Sequence, residues 1–303
     1  MGRIADIVTT GARAVRNAPV PGPVYTQGLA EARRALPPGR VQKKHAVDVE
    51  MIDRTRCVWL DRHLAAEGVI VHLHGGAYVS GPFGGDWEWL SAQAEARRCA
   101  GLMIDYRVGP DHQHPVALED TEAALRELVA RGVLGEGCWV LSGTDAGGGL
   151  AMVLAHRHWS GGSHAPALPR PAGLLIMAAW MDLELANPGI TETGRRDPVH
   201  ERRLLRAAAA AYAGRTPLDD PELSPANADL SGLPPVHLSV GTRDLFLTED
   251  RVLRLHLEEN GVQVRYREVN GRLGGLPWMR RGEDTARLLR EQAQFIGSVI
   301  GRR

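Results

Sequence analysis

The chain has 303 residues, 44% hydrophobic and 24% charged, with a formal net charge of zero. That suits one large α/β domain with an ample core, and the balanced charge excludes any electrostatic case for nucleic acid or an anionic membrane as partner. Cys57, Cys99 and Cys138 are odd in number and far apart, so they fit neither a disulfide framework nor a metal site and are expected as reduced thiols. In chain order, residues 1–45 stand apart: two short amphipathic helical stretches joined by the Pro-rich PVPGPV predict an N-terminal cap segment. This start lacks the apolar run of a signal peptide, and no segment approaches a membrane span, so a cytoplasmic protein is expected. From residue 46 strands and helices alternate. GVIVHLHGG (68–76) is an apolar run that stops at glycine. LSAQAEARRCA is helical, GLMIDYR a strand, and ALEDTEAALRELVARGV a helix with acids early and arginine late, as the helix dipole prefers. Strand runs recur at CWVLSG, AGLLIMAAW, PPVHLSVG and VQVRYREV, with helices around TEDRVLRLHLEEN and EDTARLLREQAQFIGSVIG. Such alternation predicts an α/β fold, a mostly parallel central sheet with helices on both faces. Residues 46–303 form that domain, and the stretch of about 184–225, which breaks the alternation with RRLLRAAAAAYAG, is a helical cap insertion.

After CWVLS the sequence reads GTDAGGG, a strand, a sharp glycine turn and then a helix. That is how a nucleophile elbow is built, with its exposed side chain at Asp145. Three other stretches accompany it in order: HLHGGAYVSG (72–81), DYRVGPDHQHPVALED (105–120) and VGTRDLFLTED (240–250), and AAWMDL (178–183) also matches. Together they resemble the hormone-sensitive-lipase-like branch of the α/β-hydrolase fold. The resemblance spans about residues 45–300. It implies an oxyanion loop at His74, Gly75, Gly76 and Ala77, a nucleophile at position 145, a triad acid at Asp244 and a triad histidine some 30 residues later.

Against that pattern the nucleophile position is Asp145. The histidine position falls on Gly274 in GRLGGL, and no histidine follows His256. Ser142 lies three residues before Asp145, inside the strand, and would not occupy the elbow tip. An ordinary serine esterase is therefore not expected. Three chemistries stay open for the carboxylate. As a general acid or base beside oxyanion-holding amides of Gly75, Gly76 and Ala146, Asp145 would serve cofactor-independent, non-hydrolytic chemistry: cyclisation, Michael or aldol-type addition, with carbon–carbon bond formation preferred. As a group that only recognises a ligand, it would belong to a catalytically inactive receptor. As a covalent nucleophile, it would open an epoxide or displace an alkyl halide.

Tyr78 is expected at the pocket beside the oxyanion loop. Asp244, without a triad histidine, is expected either as a relic or structural residue or as a partner of Arg243 or Arg272, and Arg272 is expected to neighbour the vacated position. Trp87, Trp89, Trp180 and Trp278 are placed on loops at the pocket mouth, where they would suit a bulky aromatic natural-product intermediate. There is no phosphate loop and no dinucleotide fingerprint. No cofactor and no metal are expected, the partner is a small-molecule substrate, and a homodimer is left open.

Overall fold

The computed structural model describes residues 35–161, 168–273 and 282–301. The N-terminal cap segment up to residue 34, Gly274 and Trp278 lie outside these residues. Eight strands form one sheet: β1 (Val47–Ile52), β2 (Thr55–Leu60), β3 (Val69–Leu73), β4 (Ala100–Asp105), β5 (Trp139–Thr144), β6 (Gly173–Met177), β7 (Val236–Gly241) and β8 (Val264–Val269). Their order is β1-β2-β4-β3-β5-β6-β7-β8. β1 and β2 pair antiparallel with each other and β2 pairs antiparallel with β4; every other pairing is parallel. This is the α/β-hydrolase fold. The longer helices are α1 (Gly84–Arg97), α2 (Val116–Ala130), α3 (Ala146–Trp159), α4 (Ile190–Arg196), α5 (Arg202–Ala213), α6 (Leu247–Glu259) and α7 (Glu283–Val299). Among the described residues no helix is long and apolar enough to cross a membrane.

The parallel strands β3 to β7 read as continuous apolar runs because both faces are covered, and every residue of each is buried. The β1–β2 hairpin was not legible in that way: β1 is an edge strand with Val49 and Met51 exposed, turning through Asp53 at φ 52°. β3 has β4 on one side and β5 on the other. The chain thus winds away in both directions from this point, and the crevice beyond the carboxyl ends of β3 and β5 is where an open α/β sheet binds its ligand. Both the HGG loop and Asp145 lie there.

α1 begins at Gly84, six residues before the helical stretch LSAQAEARRCA. Asp86 sets this start, its carboxylate accepting the Phe83 amide at 2.7 Å. Trp87 and Trp89 consequently sit on a helix and not on loops at a pocket mouth. Both are buried in a cluster with Leu60, Met103 and Phe295, and Trp89 Nε1 donates to Gln292 Oε1 at 2.9 Å. They are core residues.

Candidate active site

The elbow follows from where β5 ends. Gly143 and Gly147 leave no space for a side chain: a Cβ on Gly143 would lie 2.1 Å from the Gly147 carbonyl oxygen, and one on Gly147 would lie 2.2 Å from that of Leu73. The helix can therefore turn back tightly against β3. Asp145 carries the reversal at φ 52°, ψ −119°, a conformation that costs a non-glycine residue of order 1–3 kcal/mol. Two further positive φ angles, Ala77 at 53° and Tyr78 at 60°, fold the HGG loop towards it.

The two loops meet at one carboxylate oxygen. Asp145 Oδ2 accepts the Gly76 amide at 2.9 Å and the Ala77 amide at 3.0 Å. Oδ1 is buried and has no hydrogen-bond partner among the described residues. This corrects the sequence-based expectation in two ways. The converging amides are those of Gly76 and Ala77; Gly75 packs under Asp145, and Ala146 opens α3 in the core. The cradle is also filled from within, because the elbow side chain is long enough to reach it.

The surrounding residues hold this loop. His74 Nδ1 donates to the Gly75 carbonyl at 2.8 Å, its ring stacks on Tyr106 at 4.1 Å, and burial lowers its pKa against the pull of Asp105. Tyr106 OH donates to the His74 carbonyl at 2.6 Å. Tyr78 is buried and stacks on Tyr212 of α5 at 4.1 Å. Trp180 is fully buried and lies 6.3 Å from Tyr78 and 6.0 Å from Phe246. It backs the site without lining a mouth. Ser142 Oγ donates to the Val71 carbonyl at 2.9 Å inside the sheet.

The third part of the site comes from a segment in which the sequence revealed no functional residue. α4 stops before Pro198, and Asp197, restricted by that proline, is extended at φ −83°, ψ 115°. Its Oδ1 accepts the amides of Val199 at 2.7 Å and His200 at 2.9 Å. Its Oδ2 accepts His200 Nδ1 and the Leu245 amide, both at 2.8 Å. The last bond, with Thr193 Oγ1 to the Leu245 carbonyl at 2.8 Å, fastens α4 to the loop after β7. That loop carries Asp244, whose Oδ1 accepts the Phe246 amide at 2.8 Å. Asp197, His200 and Asp244 then offer polar atoms within 4.8 Å of one another. A cation could span that distance, but Asp197 already accepts four N–H donors and Nδ1 is one of them, so the group is built as an ion-pair cluster. Burial opposes charge on the His200 ring; Asp197, its hydrogen bond, and then Asp244 and Asp145 outweigh it and push the pKa up to about 10. The ring is 19% exposed and lies 5.2 Å from Phe246, and among the described residues its hydrogen bond is made through Nδ1.

Among the described residues Asp244 is thus grouped with Asp197 and His200. Arg243 reaches the Arg196 carbonyl at 3.5 Å, and the Arg272 guanidinium lies against Gly282. The signal that could have found His200 is Asp-Pro-x-His, a turn dipeptide with a histidine three residues after the carboxylate. The resemblance places the histidine after Asp244, whereas His200 precedes it in the chain.

Residues 70–275 match the family described as the alpha/beta hydrolase fold. The chain belongs to that family. An acetyl-hydrolase of Streptomyces hygroscopicus is 29% identical over 233 residues, covering 77% of this chain and 73% of that protein. A crystal structure of an esterase from the bacterial hormone-sensitive lipase family superposes with a TM-score of 0.79 at 26% identity, covering 99% of both chains. A crystal structure of a mutant esterase does so with a TM-score of 0.81 at 26% identity, covering 99% of this chain and 97% of the other. These relatives overturn the expectation of carbon–carbon bond formation, and with it the receptor alternative. The family is one of enzymes, and the relatives are named for ester and acetyl hydrolysis.

Proposed function

We propose that the chain is a hydrolase of small carboxylic esters in which Asp145 stands in the place of the family's serine, Gly274 in that of its histidine, and water attacks the ester directly. The observation that carries this is the hydrogen bonding of Asp145. With Oδ2 tied to the Gly76 and Ala77 amides, Oδ1 is left buried and without a hydrogen-bond partner among the described residues, an acceptor oxygen within a site at the switch point of the sheet. A carboxylate attacking an ester would form an anhydride, a poor intermediate. A carboxylate taking a proton from water avoids it: the water oxygen attacks the carbonyl carbon while its proton passes to Oδ1. Attack in this mode asks for no acyl-enzyme and no histidine after β8. Support comes from the membership of the family and from the full-length likeness to esterases.

The test is hydrolysis of p-nitrophenyl acetate and p-nitrophenyl butyrate by the wild type and by Asp145→Asn. Turnover by the wild type that falls about 100-fold or more in the variant is expected, the range a positioned general base contributes. No turnover by the wild type above the uncatalysed rate, or equal turnover by both proteins, would overturn the reading.

A further inference from the structure

We infer that His200, delivered by the segment between α4 and α5, is the general acid of this site, its Nε2–H protonating the alkoxide oxygen as it leaves the ester. The inference rests on the ester-hydrolase reading above and adds the residue that completes it. Water attack at Asp145 leaves a tetrahedral intermediate whose collapse breaks the bond from carbon to the alcohol oxygen. An alkyl leaving group departs as a strong base, and a proton delivered at that moment lowers the barrier.

Four features of His200 fit that task. Its Nδ1 is committed to Asp197 at 2.8 Å, which fixes the ring and directs the acidic proton to the other nitrogen. Among the described residues only Nδ1 of this ring is hydrogen-bonded, which leaves Nε2 available on a ring that is 19% exposed beside the buried Phe246. Asp197 from its own segment and Asp244 from the loop after β7 lie within 4.8 Å of the ring's polar atoms, and the charge of Asp145 at the elbow also acts on it. Finally, with its pKa pushed up to about 10, the ring carries the proton at neutral pH. The protons balance. The water proton moves to Asp145, the His200 proton leaves with the alcohol, the new carboxylic acid returns one proton to His200, and Asp145 releases the other to solvent.

A histidine that only braces the fold would affect all esters alike, whereas an acid matters most when the leaving group is poor. The experiment compares ethyl butyrate with p-nitrophenyl butyrate in the wild type and in His200→Gln. The expected result is a loss of kcat/KM of about 100-fold or more on ethyl butyrate and under about 10-fold on p-nitrophenyl butyrate, whose leaving group needs no proton. Equal losses on the two esters, with the wild type active, would overturn the acid role and leave the hydrolase reading intact. A second measurement needs no variant: the ring signals of His200 in the wild type are followed by NMR as butyrate is added. A shift confined to His200 and its site neighbours is expected. If the wild type hydrolyses neither ester, the hydrolase reading falls, and this titration decides the placement of His200: no shift at its ring overturns that as well.

Discussion

The elbow at Asp145 and the segment carrying His200 hold a carboxylate and an imidazole in place by different means. The elbow is held by backbone. Two glycines without room for a Cβ, a reversal at φ 52° and two amide donors define where the carboxylate sits. His200 is held by side chains: one carboxylate, Asp197, gathers its amide, its ring and the Leu245 amide from the loop after β7. Backbone packing tolerates almost no substitution and leaves a mark in the sequence as glycines. Side-chain gathering needs only an Asp and a His at the right separation, and it leaves a mark that any turn could share.

The largest effect expected is on Asp145. Asp145→Asn keeps the shape and both amide contacts but removes the base, so a loss of about 100- to 10,000-fold in kcat on p-nitrophenyl butyrate is expected with KM little changed. Steady-state kinetics decide it, and a loss carried by KM alone would break the contrast between base and binding group. Next comes Gly147→Ala, which tests the backbone side. A methyl group 2.2 Å from the Leu73 carbonyl oxygen forces the loop and the elbow apart, and about 1–3 kcal/mol of stability should be lost in denaturant unfolding. An unchanged midpoint would mean that the elbow is less rigid than its packing implies.

Trp89→Phe sharpens the placement of the tryptophans. It removes the bond to Gln292 and should cost about 1–3 kcal/mol while leaving KM unchanged, because the ring belongs to the core. A raised KM would return it to the pocket. The smallest effect is the pH dependence of stability. The His200 pKa stands above its unfolded value of 6.5, at about 10. Its contribution is fully present below pH 6.5 and fades as pH rises through about 10. Asp197 lies on the other side: its pKa is lowered, burial being outweighed by His200 and the amide donors, so its contribution fades as the solution turns acid. Thermal unfolding of the wild type should therefore weaken between pH 7 and 10 more than that of His200→Gln, and parallel curves would break the ion pair.

The sequence by itself determined the α/β-hydrolase fold, the succession of parallel strands, and the position of Asp145 on its turn. These are local matters: an apolar run long enough for a strand covered on both faces, and glycines where two backbones touch. Even there the start of α1 escaped, because Asp86 caps it from inside the helix, and Trp87 and Trp89 went with it. Only the tertiary structure decided that the Gly76 and Ala77 amides grip the Asp145 carboxylate, since that depends on how far a side chain reaches across two loops separated by 68 residues. Only the tertiary structure decided that a histidine meets Asp197 and the loop that carries Asp244. His200 precedes Asp244 by 44 positions, and its approach is governed by an amide and a carboxylate meeting between the segment after α4 and the loop after β7. Such a contact has no period and no spacing along the chain, because the distance that matters is measured through space.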